Sequence, residues 1–338
     1  MRNQNATTPA VLLRPVLLTA AVLAFGCAPS VKSPSSSADG ERKPASTRPQ
    51  ATVAESAAEE IDPADILYQQ TAEIPTGLTT VRALAVGAGD RLHVGGDKCV
   101  RVFEPDGKRI REIAVEAGPR CLAASVMEDS AAERLYVGME NHVEVFDLKG
   151  VRIAAWKSPS EKAQFLSIAA TDQDVFVADF GNQLVWRYDT KGELKGRIGQ
   201  PDKKRKIPGL TATTPYLDLA MGANGLVYVV NPRLLRLEAY TARGDLETTW
   251  GKGSSKLEDF FGCCNPTHIA VLPNGDFVTA EKGIPRIKVY SAEGKFECVV
   301  AGPRQMPSLA ADLAVDHRGR VLALDAMNAS VRVFERKK

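Results

Sequence analysis

Residues 175–189 read VFVADFGNQLVWRYD and contain two strand-like segments joined by a turn. Residues 175–178 are apolar and include two β-branched valines, and residues 184–188 end on the aromatic Tyr188. Both compositions favour β-strands. Between them, Asp179, Gly181 and Asn182 are residue types that form tight turns. The stretch therefore predicts the two middle strands of an antiparallel sheet.

This unit recurs six times in residues 78–338. Each copy opens with a short apolar strand, and its third strand ends on an aromatic residue. The closing aromatics are Phe103, Phe146, Tyr188, Tyr240, Tyr290 and Phe334. Neighbouring members of this series lie 42 to 52 residues apart. Four short strands at such a spacing are typical of a propeller blade, so the sequence predicts an all-β, six-bladed β-propeller.

The last copy ends soon after Phe334 and lacks a fourth strand. Residues 61–77 precede the first copy and contain a strand-like segment that belongs to no blade. An open ring would leave unpaired strand edges. We therefore expect residues 61–77 to supply the missing outer strand of the last blade and to close the ring.

Two copies share a more specific pattern. Asp179 and Asn182 in one, and Asp325 and Asn328 in the other, precede an apolar strand that ends on an aromatic residue. In this pattern the sequence resembles the NHL-repeat family, and the resemblance covers residues 78–338 and implies a six-bladed propeller. Three blades depart from the pattern, at residues 95–98, 230–233 and 280–283.

The N-terminus is typical of an export signal. Arg2 and Arg14 both precede an apolar run of about a dozen residues. This run is well short of the roughly 20 residues needed to span a bilayer. We interpret residues 1–26 as a signal peptide. Residues 23–27, LAFGC, resemble a bacterial lipobox, with Ala24 in place of the usual leucine. The resemblance implies that Cys27 becomes lipidated; the alternative is a secreted protein cleaved nearby.

Residues 27–60 are rich in Pro, Ser, Ala and charged residues and contain no aromatic residue. Such a segment cannot bury enough apolar surface to offset its ordering entropy, so we expect a flexible tether. Ala28, rather than Asp, follows Cys27, and the lipoprotein resemblance then implies an outer-membrane anchor facing the periplasm. The formal net charge of +2 comes from Arg2 and Arg14, so the predicted mature chain does not suggest nucleic-acid binding.

Repeat register places one residue from the first strand of each blade at the mouth of the central channel. These residues are Ala83, Cys121, Ser167, Asp218, His268 and Asp312. A second set, where strand two turns into strand three, includes Asn231 and Glu281. The sequence thus predicts a ligand-binding channel mouth formed by Asp218, Asn231, His268, Glu281 and Asp312. The alternative is that these polar groups bond to water and to the loops of their own blades.

The residue types at the channel mouth allow several metals. Carboxylate and amide oxygens suit Ca²⁺, and the family resemblance extends to lactonases that use a metal at this position. It also extends to an amidating lyase with several channel histidines around zinc. Here His268 alone occupies the channel register, which does not support a three-histidine zinc site.

Residues 262–268 read GCCNPTH, an entry found in no other blade. Zinc or copper would accept thiolates from Cys121, Cys263 or Cys264 together with the imidazole of His268. A disulfide between Cys263 and Cys264 would be strained and reducible, because consecutive Cα atoms lie closer than disulfide geometry prefers. The alternative is a constrained turn that packs small thiols. A disulfide between Cys99 and Cys121 also stays open.

Together these features predict a monomeric binding or scaffold module in the cell envelope. Its partner would be an envelope protein or a small-molecule ligand at the loop-rich face, and it would meet the membrane through its lipid anchor alone. The sequence shows no convincing set of nucleophile, base and orienting residue, so it favours binding over catalysis. The alternatives are a metal-dependent hydrolase or lactonase with His268 as base, and a thiol redox or electron-transfer accessory protein acting through Cys263 and Cys264.

Overall fold

The structure is a computed structural model that describes residues 61–126 and 133–338. These residues form six four-stranded antiparallel sheets, so the prediction of an all-β six-bladed propeller is confirmed. The expected signal peptide, the lipidated Cys27 and the tether lie outside the described residues. Within the described ranges, the helical elements are short 3₁₀ turns, and none is long and apolar enough to cross a membrane.

The strands follow the chain in blade order. β1 (Tyr68–Pro75) precedes blade 1, which contains β2 (Val81–Val86), β3 (Leu92–Gly96), β4 (Cys99–Phe103) and β5 (Arg109–Ala114). Blade 2 contains β6 (Cys121–Val126), β7 (Glu133–Gly138), β8 (Val143–Asp147) and β9 (Arg152–Trp156). Blade 3 contains β10 (Phe165–Ala170), β11 (Asp174–Asp179), β12 (Leu184–Asp189) and β13 (Leu194–Ile198).

The second half of the ring repeats this order. Blade 4 contains β14 (Leu219–Met221), β15 (Val227–Asn231), β16 (Arg236–Tyr240) and β17 (Leu246–Trp250). Blade 5 contains β18 (His268–Val271), β19 (Phe277–Glu281), β20 (Arg286–Tyr290) and β21 (Phe296–Ala301). Blade 6 contains β22 (Ala310–Val315), β23 (Val321–Asp325) and β24 (Ser330–Arg336), with β1 as its fourth strand.

Hydrophobic clusters of the described residues lie between neighbouring blades all the way round the ring. The aromatic residues that end the third strands belong to these clusters. Trp156 of blade 2, for example, packs against Tyr136 and Tyr188 with ring centroids 5.6 and 5.5 Å apart. Burial of these large side chains holds adjacent blades together and fixes the first strands as a ring around the central axis.

The ring is closed by strands from the two ends of the described chain. β1 pairs with β24 in antiparallel register from Tyr68 opposite Arg336 to Pro75 opposite Ser330. Just before β1, Ile66 forms a parallel bridge to Val299 at the outer edge of blade 5. Residues 66–75 therefore contact blades 5 and 6, and they cover strand edges that would otherwise have free backbone groups.

Candidate functional site

A cavity of about 390 Å³ lies at the centre of the ring. It is lined by the first strand of every blade, or by the residues just before that strand. Pockets for small molecules commonly have volumes of about 300–1,000 Å³. The cavity is therefore large enough for a small ligand or for one side chain of a partner.

Three of the predicted channel residues converge in this cavity. His268 Nδ1 lies 3.4 Å from Asp218 Oδ2 and 3.9 Å from Asp312 Oδ1. The three side chains are between 11 and 18% exposed, so they are largely removed from bulk water but can still be reached from the cavity. We call Asp218, His268 and Asp312 the channel trio.

Backbone hydrogen bonds hold the two carboxylates in place. Asp218 accepts from the amide of Leu219 in its own blade and from that of Ile269 in blade 5, at 2.9 and 2.8 Å. Asp312 accepts in the same way from Leu313 in its own blade and from Leu84 in blade 1, at 2.8 and 2.7 Å. Each aspartate thus joins its blade to the next one in the ring. Because every carboxylate oxygen has two lone pairs, both side chains keep acceptor capacity for a ligand.

The trio has shifted proton affinities. Burial opposes protonation of His268, but the hydrogen bond and charge of Asp218 and the charge of Asp312 outweigh it and raise the pKa of the imidazole. Burial, with the nearby charge of Asp218, raises the pKa of Asp312 to about 7 in spite of the opposing effect of His268. Clustered groups with shifted pKa values in a cavity are typical of functional sites.

The opposite wall of the cavity is basic. Arg82 in blade 1 and Arg120 just before blade 2 line the cavity, and ring order places these blades across from blades 4 and 5. Arg82 is exposed, and Arg120 lies 3.2 Å from Glu140. Neither arginine was predicted from the sequence. The signal was present, because each directly precedes the channel-register residue of its blade.

Asn231 and Glu281 do not reach the cavity, contrary to expectation. Both lie at the end of the second strand and are fully or almost fully buried. Asn231 Oδ1 accepts from Thr211 and Glu281 Oε2 accepts from the amide of Phe261, so each fixes the loop that enters its own blade. These two residues are therefore not part of the channel mouth. They bond to the loops of their own blades, as the alternative interpretation of the sequence expected.

The cysteines do not add ligands to the trio. Cys121 lines the cavity, but burial and the charges of Asp312 and Asp218 raise the pKa of its thiol well above the usual range, which disfavours the thiolate needed for ligation or redox chemistry. Cys263 and Cys264 do not line the cavity. The described cysteines are unpaired, including Cys99, so the structure has neither of the disulfides considered from the sequence.

The channel trio is the group of described residues that could hold a metal ion. One nitrogen or oxygen atom of each side chain lies within 4.8 Å of the others. Two carboxylates and one imidazole fit the ligand set of a catalytic zinc site, which uses three protein ligands. Ca²⁺ takes six to eight oxygen ligands, and the trio supplies fewer.

Comparisons with known proteins support the fold. No protein-family model and no curated protein matches the sequence. Among solved structures, a streptogramin B lyase has a TM-score of 0.53 and 10% identity, over 80% of this chain and 98% of that chain. The virginiamycin B lyase from Staphylococcus aureus has a TM-score of 0.51 and 13% identity, over 78% and 88% of the two chains.

A protein of another kind is equally similar. The WD40 propeller domain of Doa1 has a TM-score of 0.53 and 15% identity, over 80% of this chain and 98% of that chain. At such identities, similarity shows a shared architecture and carries no activity with it. The resemblance to the NHL-repeat family stays a prediction, and what these comparisons show is that the chain has the β-propeller fold.

Proposed function

We propose that this protein is a binding module that recognises a small ligand at the central channel, with a positively charged group of the ligand facing the channel trio. The observation that carries the proposal is the convergence of Asp218, His268 and Asp312 in a cavity lined by all six blades. Positions far apart in the chain meet there on rigid strands, which is how a propeller forms a recognition site.

The charges in the cavity support a ligand with two poles. Two carboxylates lie on either side of His268 in a poorly solvated place. With both ionised, the trio keeps a net negative charge even when the imidazole is protonated, and this charge attracts a cation. Arg82 and Arg120 on the opposite wall suit a negatively charged group, since guanidinium groups bind carboxylate and phosphate well. The preferred ligand would therefore be small and zwitterionic.

Location and partners stay proposals. The lipid anchor on Cys27 and the signal peptide would place the module in the cell envelope, at the outer membrane and facing the periplasm. The ligand could then be a free small molecule, or a charged group presented by an envelope protein. Propeller rings commonly serve as binding platforms because loops on a rigid scaffold carry recognition residues.

Thermal stability should report binding at the channel. We expect an alkylamine and, more strongly, a small amino acid to raise the unfolding temperature. A simple carboxylate of the same size should have the smallest effect, because Arg82 is exposed and Arg120 is already paired with Glu140. Ligands that bind the folded state stabilise it by mass action. Asp218→Asn should abolish these shifts, whereas Glu247→Gln, an exposed carboxylate of the same blade, should preserve them. A shift that survives in Asp218→Asn, or a panel without any shift, would contradict the proposal.

Binding of a cation should also depend on pH. The pKa of Asp312 is about 7, and a cation favours the deprotonated carboxylate. We therefore expect affinity for the amine to rise as pH increases from 6 to 8. His268, whose pKa is also raised, loses its proton in the same direction and then no longer repels the amine. Calorimetric titration across this range should therefore show the increase in the intact protein, a flatter profile in Asp312→Asn and the flattest profile when His268→Gln is added. A steep profile in the double variant would assign the proton to a group outside the trio.

A metal-dependent hydrolase is the second candidate. The observation in its favour is the close approach of one nitrogen or oxygen atom from each member of the trio. Its ligands would be Asp218, His268 and Asp312, without Asn231 and Glu281. Adding Zn²⁺ or Ca²⁺ to a chelator-treated sample should then raise the unfolding temperature and produce ester or lactone hydrolysis. Stabilisation by organic amines alone would favour the binding module.

A further inference from the structure

A ring of backbone amides faces the central cavity. In blade 4 the carbonyl oxygen of Asp218 bonds to the second strand, so the amide of Leu219 points the other way, into the channel. This alternation is a property of antiparallel ladders, and the residue directly after the channel-register residue has the same place in every blade. These residues are Leu84, Leu122, Ile168, Leu219, Ile269 and Leu313, and all of them line the cavity.

The two aspartates of the channel trio accept hydrogen bonds from four of these amides. The carboxylate of Asp218 bridges the channel amides of blades 4 and 5, with one oxygen on each, at 2.9 and 2.8 Å. The carboxylate of Asp312 bridges those of blades 6 and 1 in the same way, at 2.8 and 2.7 Å. The spacing between the channel amides of neighbouring blades therefore fits one carboxylate group.

The junction between blades 2 and 3 lacks such a bridge. Its residue in the position of the two aspartates is Cys121, and a thiol is a weak acceptor. Within residues 61–126 and 133–338, the amides of Leu122 and Ile168 have no hydrogen-bond acceptor. Both residues are almost fully buried, at 5 and 6% exposed. Because buried backbone donors are nearly always paired, this pair indicates a partner from outside the chain.

We propose that the amides of Leu122 and Ile168 bind the carboxylate group of a small ligand, which takes the place of the absent aspartate. Hydrogen bonds from backbone amides to an ionised oxygen are stronger than those to a neutral acceptor. Arg120 lines the same wall and adds positive charge, part of which Glu140 offsets. The aspartate bridges at the other two junctions are the structural template for this site.

The inference rests on the proposed function for the other half of the ligand. Ring order places the junction of blades 2 and 3 across the cavity from that of blades 5 and 6, which carry His268 and Asp312. A ligand with its amine at the trio and its carboxylate at the two amides would span the channel. The preferred class is therefore an amino acid whose carboxylate is bound by backbone donors, with the arginines as a secondary attraction.

Nuclear magnetic resonance tests the carboxylate site in the full chain, since every channel amide belongs to a leucine or an isoleucine. With these two residue types isotopically labelled, a titration with acetate should move the amide protons of Leu122 and Ile168 downfield. The amides of Leu219 and Ile269 already bond to Asp218 and should change little. An amino acid should produce the same shifts at lower concentration, because its amine adds the contact with the trio.

A variant at Cys121 tests whether the missing side chain defines the site. Calorimetry would compare ω-amino acids with the alkylamines that lack only the carboxylate. In the intact protein the best amino acid should bind at least about 10-fold more tightly than its amine, as hydrogen bonds to a charged group imply. Cys121→Asn supplies an uncharged acceptor to the two amides and should reduce this advantage to about 3-fold or less. Cys121→Ala supplies none and should retain the advantage.

The inference and the proposed function fail in different ways. The inference is overturned if acetate and amino acids leave the signals of Leu122 and Ile168 unchanged, or if Cys121→Asn keeps the full advantage of the amino acid. The proposed function is overturned if amines do not bind, or bind equally well to Asp218→Asn. Acetate shifts at Leu122 and Ile168 would support the carboxylate site in that case as well.

Discussion

A chain that lacks residues 61–77 is expected to unfold at least about 10 °C below the intact protein. The deletion should cost several kcal/mol of stability, and 1 kcal/mol corresponds to about 2–4 °C in domains of 150–250 residues. The deletion removes β1, which pairs with β24 along its length. It also removes Tyr68 and Ile74 from the hydrophobic clusters on either side of blade 6. Loss of each large buried side chain costs about 2–5 kcal/mol, before the loss of strand pairing is added.

Point variants separate closure from chain length. Ile74→Asp introduces a charge into the cluster between blades 6 and 1 and should reproduce much of the effect. Gln69→Ala alters an exposed side chain of the same strand and should stay within about 0.5 kcal/mol of the intact protein. Thermal melts followed by circular dichroism provide the measurement. An unchanged melt for the deletion would mean that β1 contributes nothing to the closed ring.

The architecture could be predicted because the repeat places the same residue types at the same structural positions. The aromatic at the end of each third strand lies between blades, and apolar alternation fixes which face of each strand is buried. Tyr188 and Tyr240 illustrate this, since both are buried at blade junctions. The closure of the ring by β1 could be predicted because the last repeat lacks its fourth strand and the segment before the first repeat contains a strand that belongs to no blade.

The channel trio could be predicted for a related physical reason. Asp218, His268 and Asp312 occupy equivalent positions at the start of first strands, and strand geometry there turns equivalent side chains towards the axis. Asn231 and Glu281 failed the same argument because a strand end is followed by a loop. A polar side chain at that point can either face the channel or turn back and accept hydrogen bonds from loop amides. Repeat register does not decide between the two, because the decision depends on contacts with the loop.

Loop residues were predictable only in part. The pair at Cys263 and Cys264 was noticeable as an entry unlike those of the other blades. Its contact with Thr213 joins two blades and depends on the left-handed backbone at Cys264, which sequence alone did not indicate. Arg82 and Arg120 were not predicted, because only one position of each first strand was assigned to the channel and each arginine lies one residue before it.

Glu281→Gln is expected to destabilise the protein by about 3–5 kcal/mol, as is usual when one partner of a buried ion pair is removed. Glu281 Oε1 lies 2.5 Å from Lys288 Nζ, and Oε2 lies 2.7 Å from Arg286. Both Lys288 and Glu281 are fully buried within blade 5, and burial lowers the pKa of Lys288 to about 8. Without the carboxylate, two buried cations would face each other with carbonyl oxygens as the main compensation for Lys288.

A double variant tests whether the loss comes from uncompensated charge. Adding Lys288→Met to Glu281→Gln removes one of the two cations and fills the same aromatic surroundings with an apolar chain. Denaturant unfolding should show that the double variant recovers a substantial part of the stability lost in Glu281→Gln, since buried ion pairs can be replaced by apolar residues at little cost. Glu297→Gln, an exposed change in the same blade, should leave unfolding unaltered. If Lys288→Met adds to the damage instead, packing and hydrogen bonds of the lysine chain, and not its charge, hold the interior of blade 5.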